Sequence, residues 1–177
     1  MLYLVWNDES PGNKEIYFRK STNYGTNWIN LKRLTWNTGW SNHPKLGIDS
    51  NGDIHVVYED RTPGNQEIFY KRSTDGGLTW GAVVRITWDS CGNYNPIIAV
   101  DSINHLHVVW WKQLPAQEEI YYKRITDGGS TWTMPYRITW NSGCSWHPFV
   151  ITDSNNTLHL VWADNTSGNF EIYYKNY

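Results

Sequence analysis

The sequence predicts an all-β fold, a β-propeller of four-stranded antiparallel blades with about three and a half blades in 177 residues. Three observations predict it. Clusters of Gly, Asn, Asp and Ser break the chain about every ten residues, the rhythm of short antiparallel strands joined by tight turns. Twelve Trp and twelve Tyr stand against four Phe, and rings with a polar tip suit strands that are apolar on one face and wet at one end. The chain also repeats itself every 52 residues.

The repeat is carried by particular residues. Trp6, Tyr58, Trp110 and Trp162 are each 52 apart, as are Ile16, Ile68, Ile120 and Ile172. Arg33-Leu34-Thr35-Trp36 returns as Arg85-Ile86-Thr87-Trp88 and as Arg137-Ile138-Thr139-Trp140. Residues 53–104 and 105–156 align without a gap at 24 identities in 52, which points to duplication of one supersecondary unit. In the third copy the strands fall at 95–101, 106–111, Glu119 to Arg124 and 132–139. Four antiparallel strands in about 50 residues make one blade. The blades are then 1–36 (incomplete), 43–88, 95–140 and 147–177 (incomplete), together one partial propeller over 1–177. A stacked sandwich would not need so constant a period.

The turn between third and fourth strands is more specific. Ser73-Thr74-Asp75-Gly76-Gly77-Leu78-Thr79-Trp80 matches Ser-x-Asp-x-Gly-x-Thr-Trp at every fixed position. Its second copy, Ile125 to Trp132, loses the first Ser, and the first copy, Ser21 to Trp28, has Asn23 for Asp and Asn27 for Thr. This resembles the Asp box, the bacterial neuraminidase repeat of sialidases and of many non-catalytic propellers. The box reads as a folding device. Asp75 and Asp127 accept backbone N–H bonds, Gly77 and Gly129 supply positive φ, and Trp80 and Trp132 pack between sheets.

The resemblance implies a six-bladed ring, of which three periods are half. An open half-ring exposes sheet edges and blade faces, so a homodimer closing one ring, with a terminal strand exchanged, is the favoured reading. It rests on residues 157–177 repeating the strands of residues 1–21. A single chain closed as a distorted four-bladed ring and a fragment of a longer product are the alternatives. The formal charge of −2 carries no footprint for nucleic acid or anionic membrane. No apolar run is long enough to span a bilayer, and Leu2 to Trp6 read as a strand rather than a leader. The resemblance suggests an extracellular protein. No cofactor is expected.

In a blade, the turns alternate between two faces. The crossings from blade to blade share a face with the second-to-third-strand loops, and there the aromatic residues vary. Trp40, Tyr94 and Trp146 lie in Gly/Ser/Asn-rich crossings, with His43, Asn95 and His147 beside them. Flat rings next to amides and hydroxyls suit a sugar, through CH–π stacking and hydrogen bonds. Arg61 has no arginine counterpart in the other repeats and joins them as a candidate ligand contact. Trp36, Trp88 and Trp140, constant in every repeat, are expected to plug blade junctions. His55, His107 and His159 are expected to be packing residues, and no metal site is predicted. A sialidase needs three arginines, a Tyr–Glu pair and an acid. Arg33, Arg85 and Arg137 obey the symmetry and sit on outer strands, so no catalytic residue is assigned. Cys91 and Cys144 are read as free thiols, with a disulfide as the alternative. The prediction is a non-catalytic module that binds carbohydrate or a protein partner on the crossing face. A piece of a sialidase-type glycosidase and a purely architectural repeat are the alternatives.

Overall fold

The computed structural model of the chain describes residues 1–126 and 131–177. Strands β1 (Leu2–Asp8), β2 (Glu15–Ser21) and β3 (Ile29–Arg33) form a first sheet. The second contains β4 (Ser41–Ile48), β5 (Ile54–Asp60), β6 (Glu67–Ser73) and β7 (Val84–Arg85). The third contains β8 (Asn93–Val100), β9 (Leu106–Gln113), β10 (Glu118–Ile125) and β11 (Tyr136–Arg137). The last is β12 (Ser145–Thr152), β13 (Leu158–Asp164) and β14 (Glu171–Asn176). Every sheet is an antiparallel meander in chain order, and the register repeats with the sequence. Val57 faces Tyr70, Val109 faces Tyr122, and Val161 faces Tyr174.

The outer strand is shorter than the 132–139 read from the sequence. Its ladder with β10 holds two residues, Tyr136 and Arg137. Pro135 has no N–H to offer that ladder, and the chain meets β10 again at the Ile125–Trp132 bridge and the Thr133 N–H to Arg124 O bond.

Sheets pack face to face, so each core belongs to two blades. Ile16, Phe18 and Leu34 of the first sheet meet Ile54, Val56 and Tyr58 of the second. Val57, Ile68 and Tyr70 meet Leu106, Val108 and Trp110 at the next junction. Val109 and Ile120 meet Leu158, Leu160 and Trp162 at the third. This is why β5 is buried at every residue: its two faces look into two cores, and alternation of apolar and polar residues is lost.

A further device ties neighbouring blades. Trp80 sets its edge against Phe18 of the preceding blade, centroids 5.1 Å apart, and Trp132 does the same to Tyr70 at 5.5 Å. Gly77 lies at φ +85°, and a Cβ there would sit 2.3 Å from the Phe18 ring. The glycine answers both a left-handed turn and a close approach. Asp127 and Gly129 of the later box lie outside the described residues. Within each full blade a histidine joins inner and third strands. His55 Nδ1 is 2.7 Å from the Tyr70 hydroxyl with Asp49 3.4 Å from its other nitrogen, and His107 bridges Tyr122 and Asp101 likewise.

Among the described residues β1–β3 make no contact with β12–β14. The sheets form an open arc, and the distorted four-bladed ring is not formed. Strand β14 is exposed along its whole length.

Candidate functional site

Each inner strand starts with a bulge. The register skips between Asn42 and Lys45, between Tyr94 and Ile97, and between Trp146 and Phe149. At the skip stand His43, Asn95 and His147, with φ of 49°, 48° and 48°, each followed by proline. A residue before proline ordinarily stays extended, but His and Asn are among the residues that enter the left-handed region most readily. The bulge turns these three side chains out of the ladder and toward the crossing face.

Glu59, at the end of β5, is the centre that gathers them. It is 3% exposed. Its Oε2 accepts the Asn95 N–H of the next blade at 2.8 Å, and its Oε1 accepts from His43 Nδ1 at 2.9 Å. Half of the His43 side chain is exposed. Arg61 follows Glu59 by two residues in the β5–β6 loop, which is anchored by the Arg61 N–H to Trp40 O bond at 3.1 Å. Its side chain is exposed and makes no ion pair among the described residues. Tyr94 completes the cluster. Burial pushes its phenol up, the Glu59 charge adds to this, and Arg61 opposes it.

A run of rings leads away from Tyr94 across the next junction. Tyr94 stacks on Trp111 at 4.3 Å, Trp111 tilts toward Trp146 at 6.5 Å, and Trp146 stacks on Phe170 at 5.0 Å. His147 sits against Trp146. The indole N–H groups of Trp111 and Trp146 are buried without a partner.

Of the seven ligand candidates read from the sequence, His43, Arg61, Tyr94 and Asn95 therefore share one site. Trp146 and His147 belong to its aromatic extension. Trp40 stands apart, half-exposed with the Lys14 ammonium 5.3 Å from its ring, and touches the site through its backbone carbonyl. Glu59, Trp111 and Phe170 were missed. A signal for the first two exists in the sequence: one repeat position reads Asn7, Glu59, Trp111, Ala163, while its neighbours hardly change.

The expectation for Trp36, Trp88 and Trp140 is overturned. They plug nothing and are 69%, 65% and 73% exposed. The junctions they were meant to fill are already closed by Trp80, Trp132 and the aliphatic cores. Arg33, Arg85 and Arg137 are held on outer strands by the buried carboxylates Glu15, Glu67 and Glu119. Cys91 and Cys144 are free thiols. Among the described residues no three His, Cys, Asp or Glu side chains are grouped to hold a metal ion.

No protein-family model matches the sequence. Over 116 residues, 51% of this chain, it is 30% identical to a sialidase of Micromonospora viridifaciens, of which that stretch is 18%. A solved protein of unknown function from Dyadobacter fermentans superposes on 98% of this chain with a TM-score of 0.77 and 14% identity, over 50% of its own length. An α-L-arabinofuranosidase from Fusarium graminearum does so on 99% of this chain with a TM-score of 0.76 and 18% identity, over 58% of its length. The fold is that of a partial sialidase-like β-propeller. The chain spans about half the length of these solved structures and under a fifth of the sialidase.

Proposed function

We propose that this chain, a partial propeller of the sialidase-like kind built on Asp-box turns, binds an oligosaccharide on its crossing face and carries no catalytic pair of its own. The observation behind this is Glu59, a buried carboxylate where the repeat is broken. Its oxygens accept sugar hydroxyls beyond the two protein donors already in place. Arg61 donates to ring or carboxylate oxygens, His43 Nε2 accepts a hydroxyl, and the Tyr94 to Phe170 run supplies apolar contact for further sugar units. The glycosidase relatives in sequence and structure agree with a sugar ligand.

Glycoside hydrolysis ordinarily uses two carboxyl groups, one of them kept protonated as the acid. Among the described residues Glu59 is the carboxylate hydrogen-bonded into this cluster. Titration calorimetry with arabino-oligosaccharides and sialyl-oligosaccharides tests the reading. Binding by the parent is expected to weaken at least tenfold, about 1.4 kcal/mol, in Glu59→Gln and in Arg61→Ala, the latter with its melting temperature unchanged. Fluorogenic sialosides and arabinosides should remain intact between about pH 4 and 8. Turnover abolished by Glu59→Gln would establish the second reading, a portion of a glycosidase site. That reading draws on the chain's covering only part of each relative.

A further inference from the structure

A buried ammonium without a carboxylate beside it is costly, and buried charges are ordinarily paired. Lys71 on β6 and Lys123 on β10 are 7% and 6% exposed. Each gives one N–H to a carbonyl of the preceding blade, Leu34 O at 2.8 Å and Ile86 O at 2.5 Å. Neither makes an ion pair with a carboxylate among the described residues. An ammonium carries three donors, so two on each remain for something else.

Beside each ammonium stands one of the open indoles. The Trp36 ring has Lys71 Nζ at 5.9 Å and the Arg33 guanidinium at 5.7 Å. Trp88 has Lys123 Nζ at 5.5 Å and Arg85 at 5.8 Å. Trp36 and Lys71 line a groove of ≈ 580 Å³ between the first two blades, and Trp88 and Lys123 line one of ≈ 670 Å³ between the next two. Trp140 repeats the motif with Arg137 4.1 Å from its ring. The three indoles recur in register and stay largely exposed. Asp60 also lines the first groove, but its carboxylate is occupied by Asn37, Ser41 and the Thr62 N–H. In the second groove the same repeat position is Lys112, paired with Asp89 at 3.0 Å. The second groove is therefore the more cationic.

We propose that these grooves are a ladder of anchoring sites for an acidic polysaccharide. Each indole takes the face of a sugar ring, while the flanking lysine takes a carboxylate or sulfate of the same chain; Arg33 and Arg85, already paired with Glu15 and Glu67, brace the ring. The ladder uses other side chains than the Glu59 cluster, although its first groove borders the same β5–β6 loop, and it holds whether or not that cluster binds sugar. Grooves on successive blades engage one polymer together, so modest single contacts combine into firm attachment.

Affinity electrophoresis of the full chain through gels containing polygalacturonate, dextran sulfate or uncharged dextran tests this. One or both acidic polymers are expected to retard the protein, less so as salt rises, while dextran does not. The polymer that retards it identifies the anionic group. Affinity should fall at least tenfold in the pair Trp36→Ala/Trp88→Ala, and should fall further in Trp88→Ala than in Trp36→Ala alone. Both positions are exposed, so circular dichroism should show the parent fold; Trp88→Phe is the control that keeps a ring and should keep part of the binding. Retardation lost in Glu59→Gln but kept in the Trp pair variant would place the binding at the Glu59 cluster and overturn the proposal. Equal retardation by dextran, no retardation by either acidic polymer, or a Trp pair variant that binds like the parent would overturn the proposal.

Discussion

Four donors converge on Asp75: the hydroxyl and N–H of Thr79, the Ser73 hydroxyl and the Leu78 N–H. Thr79 contributes most, and together they bring the carboxyl down to about 2. An unfolded aspartate titrates at about 3.9, so this group's support is complete above about pH 4 and is lost as pH falls toward 2. His55 and His107 act earlier. Burial lowers both imidazoles, with Asp49 and Asp101 pulling the other way. The unfolded histidine takes its proton first, at about pH 6.5, so native stability falls as pH drops below that value. The urea midpoint is expected to decline in two stages on acidification. His107→Gln should shrink the upper stage and Asp75→Asn the lower. A midpoint that is flat between pH 7 and 5 would count against the histidines.

At the scale of elements, the blade junction depends on how closely a turn can approach the preceding sheet. Gly77 and Gly76 are neighbours, and both have positive φ, +85° and +66°. A Cβ on Gly77 collides with Phe18, whereas on Gly76 it meets the end of Lys20 at 3.4 Å. Gly76→Ala should therefore cost about 1–2 kcal/mol, the penalty of a left-handed residue. Gly77→Ala adds overpacking of about 1–3 kcal/mol to the same penalty. Thermal unfolding of the two variants checks this, and equal losses would show that the Phe18 contact is slack. The junction was legible in the sequence as far as the box could show it, because Trp80 and Trp132 recur with the turn. The short outer strands were less so, since a proline such as Pro135 removes a ladder bond without disturbing the period.

Across the whole molecule, three inter-blade cores hold an open arc whose last sheet ends in an exposed strand. Exposed strand edges invite pairing with another chain. We propose that two copies close one ring, and light scattering coupled to size exclusion should return a mass about twice 20.7 kDa. A monodisperse monomer at micromolar concentration would count against closure by a second copy.

The period, the all-β class and the meander order were determined by the sequence by itself. Each rests on local chemistry: turn residues at fixed spacing, and strand patterns copied from blade to blade. Of the crossing and loop residues singled out, His43, Arg61, Tyr94 and Asn95 gather around Glu59. What only the tertiary structure decided is the partner of each side chain across a junction. Glu59 became a centre because Asn95 of the next blade brings its N–H to it. Trp36, Trp88 and Trp140 came to lie open because other residues had already filled the junctions. A strand's own pattern records that a residue alternates inward or outward. In a propeller both faces of a sheet are interior, so whether a given ring is core or surface depends on the neighbouring blade, and that is settled in space rather than along the chain.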